Sequence, residues 1–130
     1  MALVTIIDSA SLRVGNMIWN SYYNRAEELT LDGYVNIFNK ASNSTTLKSI
    51  VLTPGWCESL GGVYGTDPVG KPSYTFSSKT GMMTIYFDTA VPVVMIDNFP
   101  VEIRFVHELQ NLAYFVLGVD LKYSPPKTNK

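Results

Sequence analysis

One cysteine and one histidine in 130 residues remove several chemistries at once. Cys57 alone can close no intrachain disulfide and build no cysteine-rich zinc site, which fits a reducing compartment or an interchain bond. His107 is the only imidazole, so a serine or cysteine nucleophile would have to recruit it across the fold. The chain has no Gly-x-Ser-x-Gly elbow to present such a nucleophile. Basic residues are few too: ten Lys and Arg against eleven Asp and Glu leave a net charge of −1, and only Lys122, Lys127 and Lys130 gather, sparsely, near the C-terminus. No field of that size concentrates polyanions, and no nucleic acid is expected as a partner.

Long apolar runs are missing as well. The two longest, around Ala90 to Ile96 and Leu112 to Val119, fall far short of the ~20 residues that cross a bilayer, so no membrane span is expected. Met1 to Asp8 has no basic lead and meets a charge before an export-type apolar core can form. The expectation is a soluble protein of the cytoplasm or of a virion, without a secretion signal. Repeats at solenoid periods are absent, and the one biased stretch is the polar tail 124–130.

What is present favours strands. Hydrophobic residues make up 46% of the chain and aromatics 12%, with eight Tyr and two Trp, enough to bury one core without staples. One domain over residues 1–130 is expected. Aromatic rings suit half-buried sheet faces and contact surfaces, where a ring supplies apolar area and a polar edge together.

Turn chemistry divides the chain. Leu3 to Ile7 reads as a first strand, ended by Asp8-Ser9-Ala10-Ser11. Gly15-Asn16 reads as a hairpin turn between Leu12–Val14 and Met17–Trp19, against a rival helix from Leu12 to Leu29. Asp32-Gly33 joins Glu28–Leu31 to Tyr34–Phe38 as a second hairpin. Leu47 to Thr53 is a strand stopped by Pro54-Gly55. Gly61, Gly62, Gly65 and Gly70 with Pro68 and Pro72 make Trp56 to Pro72 a long irregular loop, a place for a connector or for binding. Ser73–Ser78 and Met82–Phe87 form a third hairpin around Lys79-Thr80-Gly81. Val91 to Ile96 is a strand in which Pro92 marks an edge or a start.

Asp97-Asn98-Phe99-Pro100 then looks like a helix cap with proline in the first turn. Phe105, Val106, Leu109, Leu112, Ala113, Val116 and Leu117 recur at helical spacing, and Gly118 is placed to end the helix. Val101 to Leu117 is therefore read as a helix. The rival reading is a half-buried strand, in which Val101, Ile103, Phe105 and Leu109 alternate with Glu102, Arg104, Glu108 and Gln110, and which would make the fold wholly β. Val119 to Tyr123 is read as a last short strand. The expected fold is mainly β: an antiparallel, hairpin-built sandwich or barrel with one C-terminal helix, α+β at the margin.

One string carries a chemical suggestion. His107-Glu108-Leu109-Gln110-Asn111 resembles the His-Glu-x-x-His signature of zinc peptidases, where two histidines one helical turn apart hold the metal and the Glu polarises its water. The resemblance implies His107 as ligand and Glu108 as base. Asn111 stands where the second histidine belongs, and a site would need oxygen ligands such as Asp120, a poor exchange for zinc. The bland reading is a structural His-Glu pair on the solvent side of the helix. Cys57 beside Trp56 reads as a packed thiol, not a reactive one. The Gly61–Gly65 loop lacks the Lys-Ser/Thr ending of a phosphate cradle. Asp67, Asp88, Asp97 and Glu102 lie at strand or loop ends, where two carboxylates could converge for glycosidase chemistry.

With no catalytic set, no catalytic residue, no metal and no cofactor is assigned. The chain is read as a non-enzymatic structural or interaction protein, a repeated subunit of a homo-oligomeric assembly such as a virion or phage particle. Its partners are copies of itself or other subunits, engaged through aromatic and extended surfaces. The alternative is a zincin-like metallohydrolase or its inactive relative built on His107, Glu108, Asn111 and Asp120. A ligand-binding sandwich using Trp19 or Trp56 is a third reading.

Overall fold

The computed structural model describes residues 12–31, 47–96 and 98–124. They fall into two compact units, Met1–Val51 with Phe105–Asn111, and Leu52–Arg104 with Leu112–Lys130.

The first unit is a small antiparallel sheet, β1 (Met17–Asn20), β2 (Arg25–Glu28) and β3 (Leu47–Lys48), in the order β2-β1-β3. The β1–β2 hairpin closes on Asn20↔Arg25. Its turn is set by Asn20, whose Oδ1 accepts the N–H groups of Tyr22 (2.9 Å) and Tyr23 (3.3 Å), and by Asn24 at φ +56°. Asparagine suits both tasks, since its short amide mimics a backbone carbonyl and tolerates the left-handed region. Met17 and Ile18 are buried with Leu12, Leu29 and Ile50.

Gly15-Asn16 is therefore not the hairpin turn the sequence suggests. Asn16 N–H closes a turn onto the Arg13 carbonyl (3.0 Å), while Gly15 N–H donates to Leu29 O and Leu29 N–H to Asn16 O. Two residues thus oppose one, a β-bulge with glycine in the left-handed region at φ +100°. Leu12–Val14 is not a strand, and the rival helix from Leu12 to Leu29 does not form. Of the expected Glu28–Leu31 strand only Glu28 is in one. The Asp32-Gly33 turn, its second strand, and the Leu3–Ile7 strand lie outside the described residues.

The second unit begins with α1 (Pro54–Ser59). Pro54-Gly55 does not simply stop a strand. Thr53 caps the helix, its Oγ1 accepting Trp56 N–H at 3.3 Å, and Pro54 sits in the first turn, where its missing N–H has no partner to lose. The preceding strand is correspondingly short: only Leu47–Lys48 is a strand, with Val51 bridging to Phe105. Trp56–Pro72 is not one irregular loop either, because it holds most of α1 and all of β4 (Val63–Thr66). What remains irregular is the turn at Leu60, Gly61 and Gly62 and the loop from Asp67 to Lys71. There Asp67 Oδ1 accepts from Val69 (3.0 Å) and Lys71 (2.9 Å) N–H.

From β4 the chain meanders through β5 (Pro72–Ser78), β6 (Gly81–Tyr86), β7 (Val93–Ile96) and β8 (Phe99–Glu102), each antiparallel to the last. The register sets Tyr74 opposite Ile85, Phe76 opposite Met83, and Ile85 opposite Val94. All five are buried, so period-2 alternation puts one apolar face on the core, and each such side chain contributes about 1.5–3 kcal/mol by leaving water. The third hairpin forms as the sequence implies, with a two-residue turn, Lys79-Thr80, and Gly81 already in β6; β7 starts at Val93, just after Pro92. β4 and β8 are the outer strands, and the sheet is open, not closed into a barrel, among the described residues.

The helix α2 runs from Val106 to Leu117, not from Val101. Val101 and Glu102 belong to β8, Ile103 N–H donates to Pro92 O at 3.1 Å, and Phe105 bridges Val51. Both sequence patterns are real, and the alternating one governs up to Phe105. The helical one takes over where Val106, Leu109, Ala113 and Leu117, all buried, begin to share a face. Gly118, at φ +67°, ends the helix as expected, and the Leu117 carbonyl accepts the hydroxyls of Ser78 (2.9 Å) and Thr80 (3.2 Å). Val119–Tyr123 is not a strand. The chain is mainly β, antiparallel and hairpin-built, with a C-terminal helix.

Candidate functional site

The first turn of α2 holds the string that resembles a zinc signature. Glu108 does not face an open site. Its Oε1 accepts Phe105 N–H at 3.1 Å, reaching back over the helix start as a capping carboxylate does. His107 is not on the solvent side: it is 2% exposed, its ring lying parallel to Phe105 with centroids 5.8 Å apart. An apolar stripe that begins at Val106 carries its next-door neighbour partly inward, and the imidazole is packed as an aromatic.

Asn111, at the place of the missing histidine, serves as an acceptor. Its Oδ1 receives Asn16 Nδ2 (2.9 Å) and Arg13 Nε (3.1 Å). Asp120 is an exposed residue of the second unit, 3.3 Å from Lys122 Nζ. Among the described residues no group of three or more His, Cys, Asp and Glu side chains gathers as a metal site would require.

What the helix brings together instead is a set of amides. Gln110 is 1% exposed. Its Oε1 accepts Met17 N–H (2.7 Å) and Asn16 Nδ2 (3.5 Å), and its Nε2 donates to the Gly15 carbonyl (3.3 Å). Asn16, fully buried, accepts Arg13 N–H on its Oδ1, and Arg13 also reaches the Gln110 carbonyl at 3.4 Å. The β1–β3 register, carried two residues on, would set Ile50 opposite Met17. Ile50 has turned away, its carbonyl accepting Val106 N–H at 2.8 Å. The Gln110 amide takes the vacated place on β1, giving Met17 N–H an acceptor and the Gly15 carbonyl a donor beside the bulge. The signal in the sequence was Gln110 standing on the apolar stripe between Val106, Leu109 and Ala113.

The remaining candidates separate cleanly. Cys57 is fully buried, and burial, with the Glu58 charge adding to it, pushes its thiol up to about 12; it is a packed side chain. Asp67 and Asp88 both line an open hollow of about 320 Å³, with Lys71, Tyr86 and Met95. Lys71 Nζ stands between roles there, 3.1 Å from Asp88 Oδ2, and that hydrogen bond raises its pKa. Glu102 lies on β8 and is not among the residues lining that hollow, and Asp97 is outside the described residues. Trp56 is half-buried, tilted against Tyr123 at 5.2 Å, and Trp19 is half-buried in β1. The Gly61–Gly65 segment leads into a strand, β4, and not into the helix a phosphate cradle uses.

Apolar exposure is pronounced at a few places. Tyr22 and Tyr23 crown the β1–β2 turn, ring edge to face at 4.9 Å. Val63 and Tyr64 are exposed on β4 and Phe99 on β8. Tyr114, Phe115 and Val116 stand together on the last turns of α2, Phe115 at 78% exposed. Comparison with protein-family models, with curated proteins and with solved structures gives no match. No helix among the described residues is long and apolar enough to cross a membrane.

Proposed function

We propose that this protein works by contact, as a non-enzymatic repeated subunit of a homo-oligomeric assembly such as a virion or phage particle. The observation that supports it most is the run Tyr114-Phe115-Val116, three neighbouring side chains at 46%, 78% and 37% exposure, with the two rings edge to face at 5.6 Å. Aromatic side chains held clear of a subunit's own core are the anchors that protein interfaces favour. Val63 and Tyr64, exposed on opposite faces of β4, add further apolar area. The packing of His107 and Cys57 and the capping role of Glu108 give those groups structural work.

Native mass spectrometry at low micromolar concentration tests the proposal. A defined multimer without bound metal is the expected spectrum, with Phe115→Asp shifting it toward smaller species while far-UV circular dichroism stays unchanged. A monomer at every concentration overturns it, and a monomer carrying one zinc would transfer attention to His107.

A further inference from the structure

We infer that β4 is the self-pairing edge of the protein: two copies join their five-stranded sheets by laying β4 antiparallel to β4 across a two-fold axis through Gly65. This rests on the homo-oligomeric reading above and names the contact.

The backbone groups that face outward decide how β4 can pair. Asp67 N–H donates to the Lys71 carbonyl at 3.0 Å, which sets the phase of the β4–β5 ladder. Gly65↔Ser73 and Val63↔Thr75 are then the bonded pairs, while Tyr64↔Tyr74 and Thr66↔Pro72 are the open ones. Tyr64 and Thr66 accordingly turn their N–H and C=O groups away from β5. Gly62, in the same outward phase, donates to the Cys57 carbonyl at 2.8 Å, so the edge is closed off at that end and bare at Tyr64 and Thr66 among the described residues.

Of the other outer strands, β3 is only two residues long and β8 and β2 are guarded, whereas β4 is not. On β8 the bond from Ile103 N–H to Pro92 O fixes the opposite phase, so the outward positions are Pro100, which has no N–H, and the charged Glu102. β2 carries Arg25, Glu27 and Glu28 within four residues. Proline and charge are the devices that keep an edge from pairing. β4 reads Val63-Tyr64-Gly65-Thr66, without charge or proline.

One register satisfies every bare group. Set Tyr64 against the second copy's Thr66, and each outward N–H meets an outward C=O, twice over by symmetry. Shifting toward Tyr64 on Tyr64 wastes the occupied Gly62 N–H, and shifting toward Thr66 on Thr66 sets Tyr64 against Pro68. The favoured register opposes no like charges and places an aromatic beside a β-branched side chain, a stabilising cross-strand pair. It also accounts for Gly65. A Cβ there would meet nothing within 4 Å in the subunit, and its φ is not in the left-handed region, so nothing inside the subunit asks for glycine in a strand that glycine weakens. On the axis it faces its own copy in an open pair, where the two backbones close to about 4.5 Å.

Sedimentation equilibrium of the full chain, with non-reducing electrophoresis after mild oxidation, tests this. Thr66→Pro removes an outward N–H and leaves the β4–β5 ladder whole; the dissociation constant is expected to rise about tenfold or more from the lost bonds, with an unchanged thermal melt. Gly65→Cys is expected to form a disulfide-linked dimer in high yield, since opposed residues on the axis satisfy disulfide geometry. Wild type, whose Cys57 is buried, and Met82→Cys, exposed on β6, should not. A wild-type multimer that Thr66→Pro leaves intact, or a Gly65→Cys chain that does not cross-link, overturns the β4 contact and spares the homo-oligomeric reading. A wild-type monomer overturns both. If Thr66→Pro fails to fold, the Gly65→Cys result decides alone.

Discussion

Replacing Gln110 by alanine removes the amide that stands in for a strand, and its consequence can be worked out atom by atom. Met17 N–H loses its 2.7 Å acceptor and the Gly15 carbonyl its 3.3 Å donor, in a place where Gln110 is 1% and Met17 4% exposed. A buried backbone group left without a partner costs about 1–3 kcal/mol, and the lost side-chain methylenes add about 1 kcal/mol. We expect Gln110→Ala to lose about 4 kcal/mol in urea unfolding followed by circular dichroism at pH 7. Gln110→Glu separates the hydrogen-bonding account from a simple loss of volume. The introduced carboxylate can accept from Met17 but confronts the Gly15 carbonyl with negative charge, so only its protonated form reproduces the amide. Its folded pKa must therefore lie above the unfolded value near 4.3. The variant should be closest to wild type below about pH 4 and fall behind as pH rises through its folded pKa. A Gln110→Ala loss under about 1 kcal/mol, or a Gln110→Glu deficit that does not change between pH 4 and pH 8, would refute the substitution of side chain for strand.

Three further outcomes follow from single contacts. At Gly62 a Cβ would lie 2.8 Å from the Phe76 ring and 2.9 Å from the Cys57 carbonyl, so Gly62→Ala is expected to destabilise by about 1–3 kcal/mol in thermal melts, as overpacked cores do. Cys57, with its thiol pushed up to about 12 by burial, should be inert to a disulfide reagent at pH 8 in the native state and react stoichiometrically in denaturant; rapid native labelling would contradict the packing. Glu27 is held below its ordinary 4.5 by the Asn20 amide first and Arg25 second, so its folded pKa is depressed. The stability it contributes is present above about pH 4.5 and is lost as pH falls through the folded value. Melts of wild type and Glu27→Gln should converge in acid, and a gap that widens there would reverse the assignment.

How much of this was legible depended on the range of the interaction that decided each element. The Lys79-Thr80 hairpin and the Gly118 helix end are local: a turn or a cap chooses them within a few residues, and they stand where the residues imply. Thr53-Pro54 is equally local but ambiguous, because a proline after a strand-like run is a stop in one context and a helix N1 in another, and the Thr53 cap decides between them. Gly15-Asn16 carried a true requirement for positive φ, but the partner that turns it from a hairpin into a bulge is Leu29, beyond any local window. Val101–Leu117 held two periodicities in series, and the join at Phe105 is made by Val51, a residue half a chain away.

The His107–Asn111 string is arranged otherwise than its resemblance implies, for a related reason. Helical spacing correctly put residues 107 and 111 one turn apart, as a metal clamp needs, yet position 111 carries an amide whose oxygen takes Arg13 and Asn16, and Gln110 beside it addresses a bent segment of backbone. The difference lies in the far partner. A metal ion takes only lone pairs, so a clamp is built from acceptors. The bulge at Gly15–Met17 presents a carbonyl and an N–H, 95 and 93 residues from the side chain that meets them, and an amide supplies a separate donor and acceptor on one short stem. Glutamine at position 110 and asparagine at 111 are therefore the consequence of the bulge, and the bulge is the consequence of a glycine that the strand pattern alone could only read as a turn.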